Sequence, residues 1–157
     1  MAGNAPTVEI PSLPNAHITI ISARWHREIC QSMVVGAKRA LSIAGINSPG
    51  LVEVAGSFEL PLAAKYALDA GADAAIVLGV VVRGETPHFD YVCQGVTDGV
   101  MKVSLESGKP IGFGVLTVDT IDQAIARSGI PGSKEDKGFD SAVAALDLLK
   151  IKKELEN

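Results

Sequence analysis

The stretch Ala74–Val82 reads AAIVLGVVV and runs directly into Arg83-Gly84-Glu85-Thr86-Pro87-His88. A strand with one wet face alternates apolar and polar residues. An unbroken β-branched run of this length instead predicts a strand buried on both faces, in the middle of a parallel sheet. Working upstream, Leu51–Ala55 (LVEVA) alternates as a strand, and Pro61–Ala70 (PLAAKYALDA) follows as an Ala/Leu-rich helix with Pro61 tolerated in its first turn. Before that, His17–Ala23 (HITIISA) is a short β-branched run, and Ile29, Met33, Ala37, Ala40, Leu41 and Ala44 then recur at helical spacing up to Gly45. Downstream, Val92, Val96, Val100 and Val103 mark one face of a helix reaching about Ser107, and Pro110–Thr117 (PIGFGVLT) supplies a fourth strand. Two more helices are predicted, over about Ile121–Ser128 and about Phe139–Leu155, the second with Val143, Leu146 and Leu149 facing inward. Repeated strand–helix units of this kind predict an α/β fold: a three-layer α/β/α sandwich around a four-stranded parallel sheet. In such sheets ligands sit beyond the C-terminal strand ends, so the residues just after each strand are the ones to read.

The composition bounds what those residues can be doing. With 157 residues, 47% of them hydrophobic, the chain suits one domain with its own core, here 17–157, preceded by a Pro-containing arm over 1–16. The arm is expected either to be mobile or to dock on a neighbour, where it can add to that neighbour's sheet. Fourteen Lys and Arg against 18 Asp and Glu leave a net charge of −4, and without a basic block a sequence-independent grip on nucleic acid is not expected. Cys30 and Cys93 fit no metal spacing and are too few for a disulfide framework; they read as small core side chains in a reducing cytoplasm. The first fifteen residues lack the basic start and apolar stretch of an export signal, and the longest apolar segment is well short of the ~20 residues a membrane helix needs. A cytoplasmic protein without a membrane span is the expectation.

The residues after the strands are chemically distinctive. Trp25, the only tryptophan, follows the first strand in Ala23-Arg24-Trp25-His26, where it either stacks on a planar ligand ring or caps the end of the sheet. After the second strand, Gly56-Ser57-Phe58-Glu59-Leu60-Pro61 offers a glycine that admits close backbone approach, amides at a helix start, and a carboxylate. Glu59 either accepts hydrogen bonds from a polyol or complements the dipole of its helix. The third strand delivers the densest set. Gly84–Thr86 lies where a helix begins, so its amides and the Thr86 hydroxyl can cradle a phosphate. His88, in the first turn, can move protons near neutral pH, and Asp90 is a candidate to orient it. A lone histidine is usually structural; the glycine turn and threonine beside this one favour a functional role. Phe113 lies in the fourth strand. Arg127 and Lys137 follow it, each able to hold an anion or a carbonyl, though taken singly such cations are mostly solvated surface charges.

In order along the chain, ARWH, GSFELP, VLGVVVRGETPHFDYV, GVLT followed by DQAIARSG, and DKG before the last helix resemble the lumazine synthase family, over about Ile18 to Leu149. That resemblance implies a flavodoxin-like fold and a transferase that condenses 5-amino-6-(D-ribitylamino)uracil with 3,4-dihydroxy-2-butanone 4-phosphate. The products would be 6,7-dimethyl-8-ribityllumazine, phosphate and water, in the penultimate step of riboflavin biosynthesis. It also implies that Trp25 stacks on the pyrimidine; that Ser57, Phe58 and Glu59 hold the ring edge and ribityl chain; and that Val81, Val82 and the backbone at Arg83 line the pocket. Glu85, through its backbone amide, and Thr86 would receive the phosphate together with Arg127 of an adjacent subunit. Phe113 would close the pocket from that same neighbour, Lys137 would approach the heterocycle, and His88 would be the catalytic proton carrier. None of these steps requires a metal or a redox cofactor.

The implied assembly is a homo-oligomer, with a pentamer favoured over a sixty-subunit icosahedral shell. The link between Arg127 and Lys137, SGIPGSKED, is longer than the compact glycine-rich link of shell-forming members. Riboflavin synthase is a further partner the family raises. Two other readings remain at this point: a non-catalytic flavin- or pterin-binding module, which gives no reason for His88 beside a phosphate cradle, and a purely shell-forming homologue, which does not explain the polar residues at the strand ends.

Overall fold

Four strands form one parallel sheet in the order β2-β1-β3-β4, made of β1 (Ile18–Ala23), β2 (Gly50–Val54), β3 (Ala74–Val82) and β4 (Ile111–Val118). The computed structural model describes residues 6–157. Helices α1 (Arg27–Ile43), α2 (Leu60–Asp69), α3 (His88–Ser107), α4 (Ile121–Ile125) and α5 (Lys137–Glu156) connect or follow the strands, and a short 3-10 turn, Ser57–Glu59, precedes α2. The three-layer arrangement expected from the sequence is the one observed.

The unbroken apolar run of β3 has a direct cause. It is flanked by β1 and β4, and its alternate side chains enter two separate cores. Ala74, Ile76, Leu78 and Val80 join a cluster with α1 and α5; Ala75 and Val77 join one with α2 and α3. Both faces are dry, so neither can carry polar residues. On β4, Gly112 and Gly114 let α5 lie against the strand, since a Cβ on Gly114 would reach within 2.9 Å of Ser141 Oγ.

The edges depart from the sequence reading. β2 alternates in sequence, yet Gly50–Glu53 are exposed on both faces in the single chain, because β2 is an edge strand paired only with β1. The fourth helix ends at Ile125 rather than near Ser128: Ser128 is fully buried and bridges antiparallel to Asp136, turning the chain back. The last helix begins at Lys137, two residues early, because Asp136 caps it by accepting from Phe139 N at 2.9 Å. Cys30 is buried as expected, whereas Cys93 is only half-buried on α3. Within the arm, Val8, Ile10 and Leu13 pack on this chain's own core, and Leu13 N donates to Ala44 O at 2.8 Å; residues 1–5 lie outside the described region. No helix among the described residues is long and apolar enough to cross a membrane.

Candidate active site

The parallel sheet brings the C-terminal ends of β1, β2 and β3 to one rim, where a cleft of about 410 Å³ opens. Its walls include Trp25 and His26 after β1, Gly56–Glu59 after β2, Val80–Val82 of β3, and His88 and Val92 of α3. Seven residues singled out from sequence are thus brought together: Trp25, Ser57, Phe58, Glu59, Val81, Val82 and His88.

Local folding explains how each is presented. Trp25 is 68% exposed at the rim, so it does not bury itself as a cap of the sheet. It sits beside Gly56, on which a Cβ would approach the indole Cδ1 to 3.3 Å. Glu59 Oε2 accepts from Gly56 N at 2.8 Å, closing the 3-10 turn on itself, while Oε1 has no partner among the described residues. Both readings of Glu59 therefore have an oxygen available. Ser57 is buried, and its Oγ has no hydrogen-bond partner among the described residues. A hydroxyl so placed costs roughly 1–3 kcal/mol until a ligand or water reaches it.

His88 is the first residue of α3. Pro87 caps that helix without a side-chain hydrogen bond, and Thr86 Oγ1 accepts from His88 N at 3.4 Å. The amides of Gly84, Glu85 and Thr86 donate to no carbonyl among the described residues, which leaves a row of unspent N–H groups next to His88. Asp90 does not face His88; its Oδ1 accepts from Arg83 Nη1 at 3.4 Å. The Arg83 side chain is held outside the cleft by Asp119, at 2.7 Å from Nε, and by stacking 4.3 Å above the Phe89 ring, so only its backbone remains near the β3 end. Asp119 foremost, and then Asp90, raise the pKa of that guanidinium.

Three of the expected residues lie apart from this cleft within the chain. Phe113 is in the middle of the edge strand β4, 41% exposed, in register with Val77 rather than with the cleft residues at the β3 end. Arg127 and Lys137 sit together beyond β4: Lys137 N donates to Arg127 O at 2.9 Å, and Arg127 Nη1 donates to Gln123 O at 2.9 Å. Lys137 Nζ pairs with Glu135 at 2.5 Å and Asp140 at 3.1 Å. The hydrogen bond between Lys137 and Glu135 is the main cause that raises the ammonium pKa and lowers that of the carboxylate. The candidate set thus falls into two groups, one around the cleft and one apart from it, with Phe113 on β4, Arg127 after α4 and Lys137 at the start of α5.

Sequence reasoning did not single out His26. It is the only non-glycine among the described residues with a positive φ (53°, ψ 52°), and it borders the cleft as the N-cap of α1. Its neighbourhood to Trp25 was the one signal available. No cluster of three His, Cys, Asp or Glu placed to hold a metal exists among the described residues.

An α/β domain with an aromatic-rimmed cleft at its strand ends, a carboxylate turn on one wall and free helix-start amides on the other has the form of a small-molecule enzyme site. The chain belongs to the 6,7-dimethyl-8-ribityllumazine synthase family, whose model matches residues 15–153. It is 51% identical to the 6,7-dimethyl-8-ribityllumazine synthase of Streptomyces coelicolor over 142 residues, 90% of this chain and 88% of the relative. It is 48% identical to that of Frankia casuarinae over 153 residues, 97% and 95% of the two chains, and 51% identical to that of Paenarthrobacter aurescens over 152 residues, 93% and 94%.

Proposed function

We propose that this chain is a 6,7-dimethyl-8-ribityllumazine synthase, condensing 5-amino-6-(D-ribitylamino)uracil with 3,4-dihydroxy-2-butanone 4-phosphate to the lumazine, phosphate and water. The observation that carries this reading is the convergence of Trp25, the orphan Ser57 hydroxyl, Glu59 and His88 on one cleft, next to the free amides of Gly84–Thr86. The indole stacks on the pyrimidine, Val81 and Val82 sandwich it, and Ser57, Phe58 and Glu59 take the ring edge and the ribityl hydroxyls. The amides of Glu85 and Thr86 receive the phosphate, with Arg127 from a neighbouring subunit as its charge partner. A Glu85 side chain beside that anion would repel it, so position 85 contributes its backbone.

The reaction sequence is amine addition to a ketone, phosphate loss from the resulting imine, tautomerisation and ring closure. Each step needs proximity and proton transfer. Two reactants held together gain an effective molarity that can reach ~10⁵ M or more, and a positioned imidazole adds ~10²- to 10⁴-fold. His88 moves those protons. Phe113 and Lys137 complete the pocket from the neighbour, which makes the active form a homo-oligomer. We favour a free pentamer, with the arm adding to a neighbour's sheet beside the exposed β2 edge, in the cytoplasm; riboflavin synthase is a candidate consumer of the product.

The direct test mixes the two substrates with the purified protein and follows the lumazine's absorbance against released phosphate. Equimolar product and phosphate are expected. Binding of ribityl compounds without turnover would replace the enzyme with a binding module.

A further inference from the structure

The helix that delivers His88 also carries glycine where Phe58 and Pro61 come against it. His88, Val92, Gly95 and Gly99 recur on α3 at i, i+4, i+7 and i+11, along one stripe of the helix. The first two line the cleft. The other two lie under the 57–61 turn. A Cβ on Gly95 would sit 2.8 Å from Phe58 Cε2 and 3.6 Å from its Cδ2 and Cζ; one on Gly99 would sit 2.9 Å from Pro61 Cβ and Cγ. Non-bonded carbons settle at about 3.5–4.0 Å, so the turn lies closer to the helix than any side chain at 95 or 99 would permit. On the sheet side, Gly79 of β3 leaves the matching space: a Cβ there would collide with Ser57 Oγ and come within 3.0 Å of Leu60 Cδ1.

Phe58 stands largely open to solvent. Its ring is 62% exposed although it lines the cleft, so burial does not fix its rotamer. The surface on which the ring edge rests is the bare α-carbon of Gly95. Phe58 and Glu59 share one 3-10 turn, so a shift of that turn away from α3 moves both side chains.

We propose that Gly95 is a positioning residue. By admitting the edge of Phe58 against the α3 backbone, it sets the spacing between the His88 wall and the Phe58–Glu59 wall, and so the fit of the heterocycle and its polyol chain. This rests on the function proposed above. The phosphate cradle lies beyond the start of the same helix, about 10 Å along the axis from Gly95, and does not depend on that contact.

The test is a double-mutant cycle on the assembled protein: Gly95→Ala, Phe58→Leu and both together, with each substrate varied in turn and thermal melting as the check on folding. Gly95→Ala is expected to raise KM for the ribitylamino-pyrimidine roughly tenfold while KM for the phosphorylated ketone stays within about twofold. In the Phe58→Leu background, where the ring edge is gone, the same substitution should change the pyrimidine KM by less than about twofold. An equal penalty in both backgrounds overturns the proposal, as does an equal rise in both KM values. If Gly95→Ala alone does not fold, a folded double variant within about twofold of Phe58→Leu supports it, and an unfolded double variant overturns it. Wild-type protein that makes no lumazine rejects the function instead, independently of Gly95.

Discussion

At position 88 the ring borders the cleft with no carboxylate partner among the described residues, and the nearby Asp90 accepts from Arg83 instead. An imidazole without an orienting partner moves protons but cannot account for the whole rate. His88→Ala should therefore slow single turnover by ~10²- to 10⁴-fold and leave activity above the uncatalysed reaction; complete loss in a folded, substrate-binding variant would contradict this division of labour. Cys30 supplies a second expectation. Burial pushes its thiol from 9.0 up to about 11, only partly offset by a hydrogen bond with Ser22, and its Sγ lies 3.3 Å from Trp25 O. The unfolded chain thus loses this proton first. Stability is unaffected by the group below pH 9 and falls as pH rises from 9 to 11. Cys30→Ser, which cannot ionise, should show a shallower loss of stability across that window in denaturant melts at stepped pH. The sequence singled out His88 from its glycine turn and threonine and read Cys30 as a core side chain, but the left-handed backbone of His26 and the bare α-carbon beneath Phe58 arise from tertiary packing and leave no local pattern.

Among the elements, the return from α4 to α5 does most to place Arg127 and Lys137. Ser128 pairs with Asp136, Lys134 N and Glu135 N both donate to Ala126 O at 3.0 Å, and Gly129 and Gly132 adopt φ of 78° and 89°, so the link is a folded hairpin rather than a loose connection. Asp136 ties this hairpin to the rest of the domain. It caps α5 at Phe139 N, pairs with Arg39 Nη2 at 2.9 Å, and fits against Gly36 and Gly129, where neither position leaves room for a Cβ. Asp136→Ala should destabilise the domain by about 1–2 kcal/mol in urea unfolding, and Asp136→Asn, which keeps the cap and loses the charge, by distinctly less. The strands were readable because burial on two faces forces an unbroken apolar run, as in β3, and α1 and α2 because one buried stripe forces a period. The end of α4 and the start of α5 were not, since the apolar stripe does not mark them: Ser128 turns the chain back by pairing with Asp136, and the local signal for α5 is the Asp136 cap rather than its first apolar residue. The same limit applied to the site: the resemblance implied that Phe113 and Arg127 act from a neighbouring subunit, but neither residue type nor order showed that Lys137 would stand beside Arg127, apart from the cleft of its own chain.

For the whole molecule, that separation becomes an argument about assembly. The cleft group rests on β1, β2, β3 and α3, while Phe113 lies on the edge strand β4, Arg127 follows α4 and Lys137 begins α5. On the function proposed above, an Arg127 that stands outside the cleft of its own chain meets a phosphate held beside His88 only between subunits. The surface suits such contacts: Leu51 and Val52 lie bare on the β2 edge, and Tyr91, Met101 and Leu105 on α3. Light scattering should report a pentamer, and a megadalton particle would restore the icosahedral alternative. The decisive measurement is complementation. His88→Ala and Arg127→Ala subunits, each defective alone, are co-expressed and purified as mixed oligomers. In a random equal mixture, about a quarter of the subunit junctions pair an intact cleft with an intact arginine, so activity should return to about a quarter of the wild-type value. If each site drew both residues from one chain, no mixing ratio would raise activity above the average of the two parents, and the shared site would be excluded.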